Sequence, residues 1–308
     1  MLKYTIKRII SLIPVIIGAT LIVYVILSMA DGDPARIILG EDATPERVAE
    51  LREEMGLNDP VLVQYGRYML NLLHGDMGVS YRTGAPVVTE IAARLPNTIC
   101  LALVASVVSI VLAIPLGIIA AIKQNSIFDG ICMVVSLIGV SMPSFWLGLL
   151  LILLFSLRLE WLPSFGADQW QCIILPSFAL AVASMASVAR TMRSSMLEVI
   201  RQDYIRTARS KGLSEGTVIR RHALRNAMIP TMTSIGLQTG ILLSGSVLVE
   251  TVFSWPGIGR LMITSIQQRD IPTVVGCIII FAICFSIVNL IVDLLYGLVD
   301  PRMKSQYA

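Results

Sequence analysis

Charged residues are scarce in this chain. Asp, Glu, Lys and Arg make up 15% of its 308 residues, against 55% for the hydrophobic types. The mean hydropathy is +0.77. A folded surface with so few charges would leave much of the apolar material facing water. The composition therefore excludes a water-soluble globular domain and indicates an integral membrane protein.

Motifs for nucleotide binding and catalysis are also missing. No Lys follows a Gly, so the chain has no Walker A loop for ATP. The only histidines are His74 and His222, which the topology derived below places on opposite sides of the membrane, so they cannot pair at a metal. An intramembrane protease would need a Ser with a His, a pair of Asp residues or an HExxH motif. We expect no catalytic residue, no metal site and no cofactor in this chain.

The cysteines show no pattern typical of metal or redox chemistry. All five fall within the predicted spans, and no two have the CxxC spacing: Cys100, Cys132, Cys172, Cys277 and Cys284. A buried free cysteine usually acts as a small hydrophobic residue. We interpret these five in that way.

Six long stretches contain no Asp, Glu, Lys or Arg, and each has about the 20 residues that a bilayer core requires. Each must be helical, because a backbone in lipid has to satisfy its own hydrogen bonds. The fourth is short and has Pro176 near its start, which predicts a shortened or kinked helix. The six predicted spans are Ile9–Ala30, Ile99–Ile122, Ile131–Leu157, Cys172–Ala189, Asn226–Val249 and Pro272–Val292.

The distribution of Lys and Arg over the short loops predicts the orientation. With the N-terminus in the cytoplasm, fifteen basic residues fall on the inner side, and only Arg158, Arg260 and Arg269 on the outer side. Both termini are therefore predicted to be cytoplasmic. A cleaved signal peptide ending at Ser28-Met29-Ala30 is a less favoured alternative, because its apolar run exceeds the usual ~7–15 residues.

The loop between the first two spans, residues 31–98, is predicted to be an extracytoplasmic helical insertion. Thr44 and Pro45 favour a helix start and Gly56 a helix end. Asp59 and Pro60 repeat the start signal, and a turn follows at residues 75–78. An amphipathic stretch with Val87, Val88, Ile91 and Leu95 then leads into the second span. The insertion could be a lid on the membrane domain, or a platform for a substrate or a soluble delivery protein.

The predicted cytoplasmic loop, residues 190–226, is the most basic segment. Nine Lys or Arg and three acids lie between Arg190 and Arg225. Asp203 is a suitable N-cap for a short helix, Gly212 favours a left-handed end, and Ser214 can begin a second helix that runs to Pro230. Basic residues alone could serve topology or attract anionic lipid. Those roles need neither a cap nor a glycine stop, so we favour docking of a partner protein.

Small residues and prolines mark the spans themselves. Gly236, Gly240 and Ser244 recur every four residues, a spacing that permits close helix packing. Pro115, Pro143 and Pro176 are expected to interrupt helices that bend or rock. Plain helix packing explains the small residues most simply. A translocation path is the alternative, with candidate lining residues Ser141, Met142, Pro143, Ser144, Phe145, Trp146, Gly236, Gly240 and Ser244.

The basic loop resembles the coupling loop of ABC importer permeases of the dipeptide, oligopeptide and nickel family. The similarity rests on residues 203–212, residues 221–227 and Pro230. It spans nearly the whole chain through further motifs: Gly32-Asp33-Pro34, Gly75-Asp76-Met77-Gly78, residues 141–148, Trp161-Leu162-Pro163, residues 255–260 and Asp300-Pro301-Arg302. Only Ala208, Gly212 and Leu224 match the general importer signature of this loop. The residues at the other signature positions are similar to those of the peptide and nickel branch.

This resemblance implies an all-α membrane protein with the six-helix fold of a type I ABC importer permease, in one domain over residues 1–308. It implies a multi-pass protein of the bacterial inner membrane that pairs with a second homologous permease, two cytoplasmic ABC ATPase subunits and an extracytoplasmic binding protein. ATP and Mg would be held by the ATPases, and no nucleic acid is expected. The residues implied in ATPase coupling are Asp203, Tyr204, Arg206, Thr207, Ala208, Lys211, Gly212 and His222.

Two other classes stay open, and so does the cargo. An ion-coupled carrier usually places acidic or His residues within the bilayer, whereas Glu250 and Asp293 only border the spans. A membrane anchor for a peripheral complex would explain the basic loop but not the glycine and proline pattern. The resemblance implies di- or oligopeptides as cargo, with nickel chelates or glutathione as alternatives, because the binding protein does most of the selecting.

Overall fold

A computed structural model describes residues 2–29, 32–40 and 42–299. Ala30, the Asp300-Pro301-Arg302 motif and Lys304 lie outside the described residues. The described residues form helices and no strand, apart from an isolated bridge between Val79 and Pro86. The helices are α1 (Leu2–Met29), α2 (Pro34–Leu39), α3 (Pro45–Glu54), α4 (Val61–Leu73), α5 (Val87–Ile122), α6 (Ile127–Ser141), α7 (Ser144–Leu151), α8 (Ile174–Ile200), α9 (Asp203–Ser210), α10 (Glu215–Thr217), α11 (Leu224–Val252), α12 (Ile258–Gln267) and α13 (Ile271–Val299).

Within the described residues, five helical segments are long and apolar enough to cross a membrane, and a bent pair raises the number to six. The bent pair is α6 followed by α7 and a π-helical turn at Ile152–Arg158, with an angle of 104° at the break. The third predicted span, Ile131–Leu157, is thus helical but broken, which confirms the interruption expected at Pro143. Pro143 lies at the break and explains it, since the residue before a proline avoids helical backbone angles.

The prediction of a shortened or kinked fourth span is wrong. α8 has 27 residues and is neither shortened nor interrupted. Pro176 lies in its first turn, where a helix tolerates proline because the missing N–H would have no partner there. Pro115 likewise lies inside a helix that continues on both sides. Of the three prolines expected to interrupt helices, Pro143 alone does so.

Two spans extend further than predicted. α5 contains both the amphipathic approach and the second span in 36 residues, with Val87 and Ile91 buried and Val88 exposed. The fifth span is continuous with the helix that precedes it: α10, a π-helical turn at Val218–Ala223 and α11 form one helical segment of 38 residues. The N-terminal end of this span is thus continuous with the basic segment of the sequence.

The chain divides into two compact units. The first, here called the loop unit, comprises residues 2–98 and 256–284 in their described parts. In it, Thr44 caps α3 through a bond from the Arg47 N–H, and Gly56 follows α3 at φ +67°. The helix start predicted at Asp59 and Pro60 is confirmed: Pro60 is the N-cap of α4. The Asp59 carboxylate pairs with Arg67 at 2.5 Å.

The second unit, the bundle unit, comprises residues 99–255 and 285–299 as described. One apolar cluster is built around Leu101, Leu180, Val249 and Phe253. A second cluster lies at the α9 end of α8 and includes Met192 and Met196, both with no exposed surface. Helix α8 contributes to both clusters, so it is the central helix of this unit.

We predict that Gly117→Ala lowers the stability of the bundle unit. A Cβ at Gly117 would lie 2.6 Å from the Met192 Cβ and 2.7 Å from the Ala189 carbonyl oxygen, and neither atom is the flexible end of a side chain. Overpacking of this kind costs about 1–3 kcal/mol. Thermal unfolding of the detergent-solubilised protein would measure it. Gly130→Ala is the matched control, because nothing lies within 4 Å of its added Cβ. Equal melting temperatures for the two variants would contradict this packing.

Candidate coupling site

The basic segment of the sequence forms two helices joined by a tight turn. α8 continues to Ile200, so Arg190 and Arg193 belong to that helix and not to a loop. After Arg201 and Gln202 come α9, a turn at residues 211–214, α10 and the π-helical turn before α11. We call residues 201–226 the basic hairpin. Few of its residues are non-helical, so it is a stiff element joined directly to two spans.

The two ends of α9 differ in how well the sequence predicts them. The N-cap is Gln202, which makes no side-chain cap bond, so the predicted Asp203 cap is wrong. Asp203 is instead the first helical residue, where its negative charge still opposes the positive end of the helix dipole. The end at Gly212 is confirmed: φ is +77°, and its N–H donates to the Arg209 carbonyl at 2.9 Å.

One face of α9 is buried against the spans. Ile205 has no exposed surface and Ala208 is 6% exposed. Both belong to one apolar cluster. Its other members include Met192 and Met196 from α8, and Val218, Ala223 and Ala227 from the start of the fifth span. Because three helices share this cluster, a displacement of α9 must move side chains of α8 and α11, or open a cavity between them.

The opposite face of α9 is exposed. Together with the turn after α9, it includes most of the residues implied in coupling: Asp203, Tyr204, Arg206, Thr207, Lys211 and Gly212. Two of the implied residues lie elsewhere, because Ala208 is buried and His222 is half-buried beyond the turn. The structure thus gives a mixed polar and basic surface on an otherwise apolar bundle.

Sequence reasoning missed the ion pair that closes the hairpin. Arg209 donates to both carboxylate oxygens of Glu215, at 3.1 Å and 2.6 Å. The hydrogen bond to Glu215 raises the pKa of the Arg209 guanidinium. Both side chains are largely exposed, so such a pair contributes roughly 0.2–1 kcal/mol. Its main effect is to fix α9 relative to α10.

A second missed contact joins α9 to the base of α11. The Asn226 Nδ2 donates to the Tyr204 hydroxyl at 2.6 Å. Tyr204 and Asn226 line a cavity of about 440 Å³, and its other lining residues are Arg221, His222, Arg225 and Ile229. Tyr204 and Asn226 are 22 positions apart in the sequence, so no local pattern could reveal the contact.

Another ion pair joins α6 to α8. Arg193 donates from Nε and Nη2 to the two oxygens of Asp129, at 2.6 Å and 2.7 Å. Asp129 also accepts the Asn125 N–H at 3.0 Å. Asp129 is 4% exposed, so this bidentate pair is far better shielded than Arg209–Glu215. It holds the start of the bent pair against the helix that carries the hairpin.

The candidate path residues fall in two places within the bundle unit. Ser141, Pro143, Ser144 and Phe145 lie at the 104° bend between α6 and α7. Gly236 and Gly240 are buried where α11 packs on α13: added Cβ atoms would meet Val292 at 2.0 Å and Phe285 at 3.0 Å. Ser244 is exposed. The two glycines therefore make a close helix contact, as the plain packing interpretation expects.

The described residues contain no evident donor set for a metal ion. Over residues 2–29, 32–40 and 42–299, no group of three or more His, Cys, Asp or Glu side chains could hold a metal ion. His74 is the C-cap of α4 in the loop unit, and His222 belongs to the bundle unit. The candidate site that the described residues do form is a basic hairpin whose buried face belongs to the core of a helical membrane protein.

Comparisons with known proteins agree with this class of polytopic α-helical membrane protein. A family model described as binding-protein-dependent transport system inner membrane component matches residues 113–305, and one for the N-terminal part of such components matches residues 1–102. The chain therefore belongs to the inner-membrane components of binding-protein-dependent transport systems, the permeases of ABC importers. It is a multi-pass membrane subunit of a transporter.

Two curated relatives align over almost the full length. The dipeptide transport system permease protein DppB of Alkalihalophilus pseudofirmus is 46% identical over 99% of this chain and 100% of its own. The glutathione transport system permease protein GsiC of Escherichia coli is 43% identical over 99% of both chains. A solved chain of the MetNI methionine ABC transporter, in an inward-facing conformation, has a TM-score of 0.59 at 16% identity and covers 69% of this chain and 97% of its own. That structural likeness concerns the fold alone.

Proposed function

We propose that this chain forms half of the translocation pathway of an ATP-driven importer for dipeptides, oligopeptides or a related small solute. The similarity to DppB supports peptides, and the similarity to GsiC supports glutathione as the alternative cargo. A nickel chelate is a further alternative, and an ion-coupled carrier is the less favoured mechanism. The other half of the pathway would come from a second homologous permease in the same bacterial inner membrane.

The basic hairpin is the proposed contact with a cytoplasmic ABC ATPase subunit. The observation that carries this proposal is the division of α9 into a buried face, with Ile205 and Ala208, and an exposed polar face. A partner that grips the exposed face can transmit force through the buried face to α8 and α11. The proposed coupling residues are Asp203, Tyr204, Arg206, Thr207, Ala208, Lys211, Gly212 and His222, with Ala208 acting through packing.

The remaining parts of the proposal follow from the same arrangement. Two ATPase subunits would bind ATP and Mg, and their closure would shift the permease pair between inward-open and outward-open states. Both termini and the hairpin would be cytoplasmic, and residues 31–98 would face a substrate-loaded binding protein outside. The bend at Ser141, Pro143, Ser144 and Phe145 is the proposed path-lining region, together with Gly236, Gly240 and Ser244.

Uptake into proteoliposomes tests the proposed function. With both permeases, both ATPases and the loaded binding protein, we expect labelled dipeptide to accumulate only when ATP is supplied on the ATPase side. Omitting the ATPases should reduce uptake to the level of empty liposomes. Equal accumulation driven by an ion gradient without ATP would assign the chain to secondary carriers instead.

The sidedness of the hairpin is tested in the same system. ATPase subunits stripped from membrane vesicles should rebind to inside-out vesicles and not to right-side-out vesicles, because only the former expose α9 to the medium. Rebinding to right-side-out vesicles would overturn both the orientation and the proposed docking.

A further inference from the structure

A narrow groove lies between α5, α6 and α8 in the bundle unit, on residues that the proposed coupling does not use. It has a volume of about 140 Å³. Small residues of α5 and α8 form its floor, among them Gly117, Ala120 and Ala189. Its lining residues on α6 include Ile131 and Val135, which are 55% and 53% exposed. The groove therefore opens to the outside of the bundle, and its floor is apolar.

The groove exists because α6 and α8 are held together at two places and leave a gap between them. At one place they touch closely, since a Cβ added at Gly139 would lie 3.1 Å from the Val182 Cγ1. At the other, Asp129 holds Arg193 at 2.6 Å and 2.7 Å. Gly139 follows Asp129 by ten residues of α6, or about 15 Å of helix. The small residues of the floor are too short to fill this gap.

Arg190 lines the groove and brings a positive charge to it. It is half-buried in α8, about one turn before Arg193, and forms no hydrogen bond or ion pair with the described residues. Asp129 does not serve it, because both Asp129 carboxylate oxygens accept from Arg193 and one also accepts the Asn125 N–H. All three helices belong to the segments long and apolar enough to cross a membrane. A guanidinium without a counter-charge is costly there, so Arg190 requires an anion from outside the chain.

The size and the lining of the groove indicate what kind of anion fits. A dry apolar cavity of about 150 Å³ holds one benzene molecule, so a groove of this size holds a segment of an acyl chain and no headgroup. A phosphate group would lie at the rim, where the planar guanidinium of Arg190 can bind two of its oxygens. A small soluble anion would leave the apolar floor facing water. The groove is therefore suited to an amphiphile with a negative headgroup.

We propose that this groove binds one anionic phospholipid, with part of an acyl chain on the floor and the phosphate on Arg190. Basic pockets between membrane helices bind anionic headgroups in this way. The lipid belongs to the leaflet on the side of the basic hairpin, because α8 runs from the groove to Ile200 and on to α9. It fills the gap between the two contacts and supports the first half of the broken span against α8. This site goes beyond the proposed function and depends neither on the cargo nor on the ATPases.

Cys132 provides a local measurement, because it lines the groove and is half-buried. Cys100 is exposed and does not line the groove, so it is the internal reference. The full chain in a non-ionic detergent is labelled with N-ethylmaleimide, and peptide mass spectrometry gives the rate at each cysteine. Saturating phosphatidylglycerol should slow the labelling of Cys132 about fivefold or more relative to Cys100. The same amount of phosphatidylcholine, whose headgroup has no net charge, should slow it much less.

Variants at Arg190 test the role of its charge. Arg190→Gln should remove the protection that is specific to phosphatidylglycerol, and Arg190→Lys should keep part of it, because Lys retains the charge and loses the bidentate geometry. Arg220→Gln is the matched control and should keep the protection, since Arg220 is exposed in the same unit and does not line the groove. Thermal unfolding shows whether each variant is folded. If Arg190→Gln does not fold, the comparison of the two lipids on the wild type and on Arg190→Lys still decides.

Four results would overturn the proposed lipid site. Equal protection of Cys132 by the two lipids would mean that the groove does not sense charge, and an equal loss in Arg190→Gln and Arg220→Gln would mean that any basic residue serves. Protection by inorganic phosphate alone would assign Arg190 to a soluble anion. Protection by a co-purified second permease without lipid would assign the groove to a protein interface. None of these measurements involves transport, so the proposed function stands or falls separately.

Discussion

Gly212→Pro is expected to reduce ATP-driven uptake to background while the protein still inserts and folds. Gly212 has φ +77°, whereas proline fixes φ near −65°, so the α9 end cannot keep its conformation. The substitution also removes the N–H that donates to the Arg209 carbonyl. α9 would then leave its orientation relative to α10, and the ATPase would meet a displaced surface. Uptake and ATPase co-purification are measured together with the amount of protein in the membrane.

Alanine variants separate backbone conformation from crowding. Nothing lies within 4 Å of a Cβ added at Gly212 or at Gly216, so neither alanine meets a steric obstacle. Only Gly212 has a positive φ, which costs an L-residue about 1–2 kcal/mol. Gly212→Ala should therefore impair uptake partially and Gly216→Ala hardly at all. Full transport by Gly212→Pro with normal ATPase binding would refute the placement of the coupling site.

The glycine signal was readable from the sequence because it is local. Gly212 and Gly56 both follow short helices, and their positive φ values are what the chain requires there. Thr44 caps α3 for an equally local reason. The Asp203 cap failed because the helix starts one residue earlier than expected, with Gln202 at the N-cap position.

The spans could be located from charge-free length and an interruption was expected at Pro143, but the angle of the bend could not be predicted. A run such as Ile131–Leu157 is apolar whether the helix is straight or bent by 104°, since lipid and a neighbouring helix impose the same composition. Charged residues at the end of the fourth span led to a predicted span that was too short. Arg190 and Arg193 suggested a loop, yet α8 continues past them because Arg193 is paired with Asp129.

Contacts that fix the candidate site and the loop unit are long-range in sequence. Tyr204 and Asn226 are 22 residues apart, and Ser80 and Asp270 are 190 apart. No periodicity or cap signal records such pairs, so one chain without aligned relatives cannot reveal them. The resemblance is what pointed to the proposed coupling segment.

Ile205→Asp is expected to abolish transport by a different route from Gly212→Pro. Ile205 has no exposed surface and packs with Met192, Met196 and Val218. An ionised carboxylate cannot remain in that cluster without a partner, so α9 must detach from the spans or the aspartate must pull the helix toward water. The exposed face of α9 could then still meet the ATPase, but the joint to α8 and α11 would be lost.

Graded variants at the same position test whether packing transmits the force. Ile205→Val removes one methylene and costs about 0.5–1.5 kcal/mol, so uptake should persist; Ile205→Ala costs about 2–5 kcal/mol and should reduce it strongly. Uptake divided by ATP hydrolysed is the informative measurement, because a detached α9 should let hydrolysis continue without transport. If this ratio is the same in Ile205→Ala as in the wild type, the force passes through another contact, and the buried face of α9 serves only to anchor the helix.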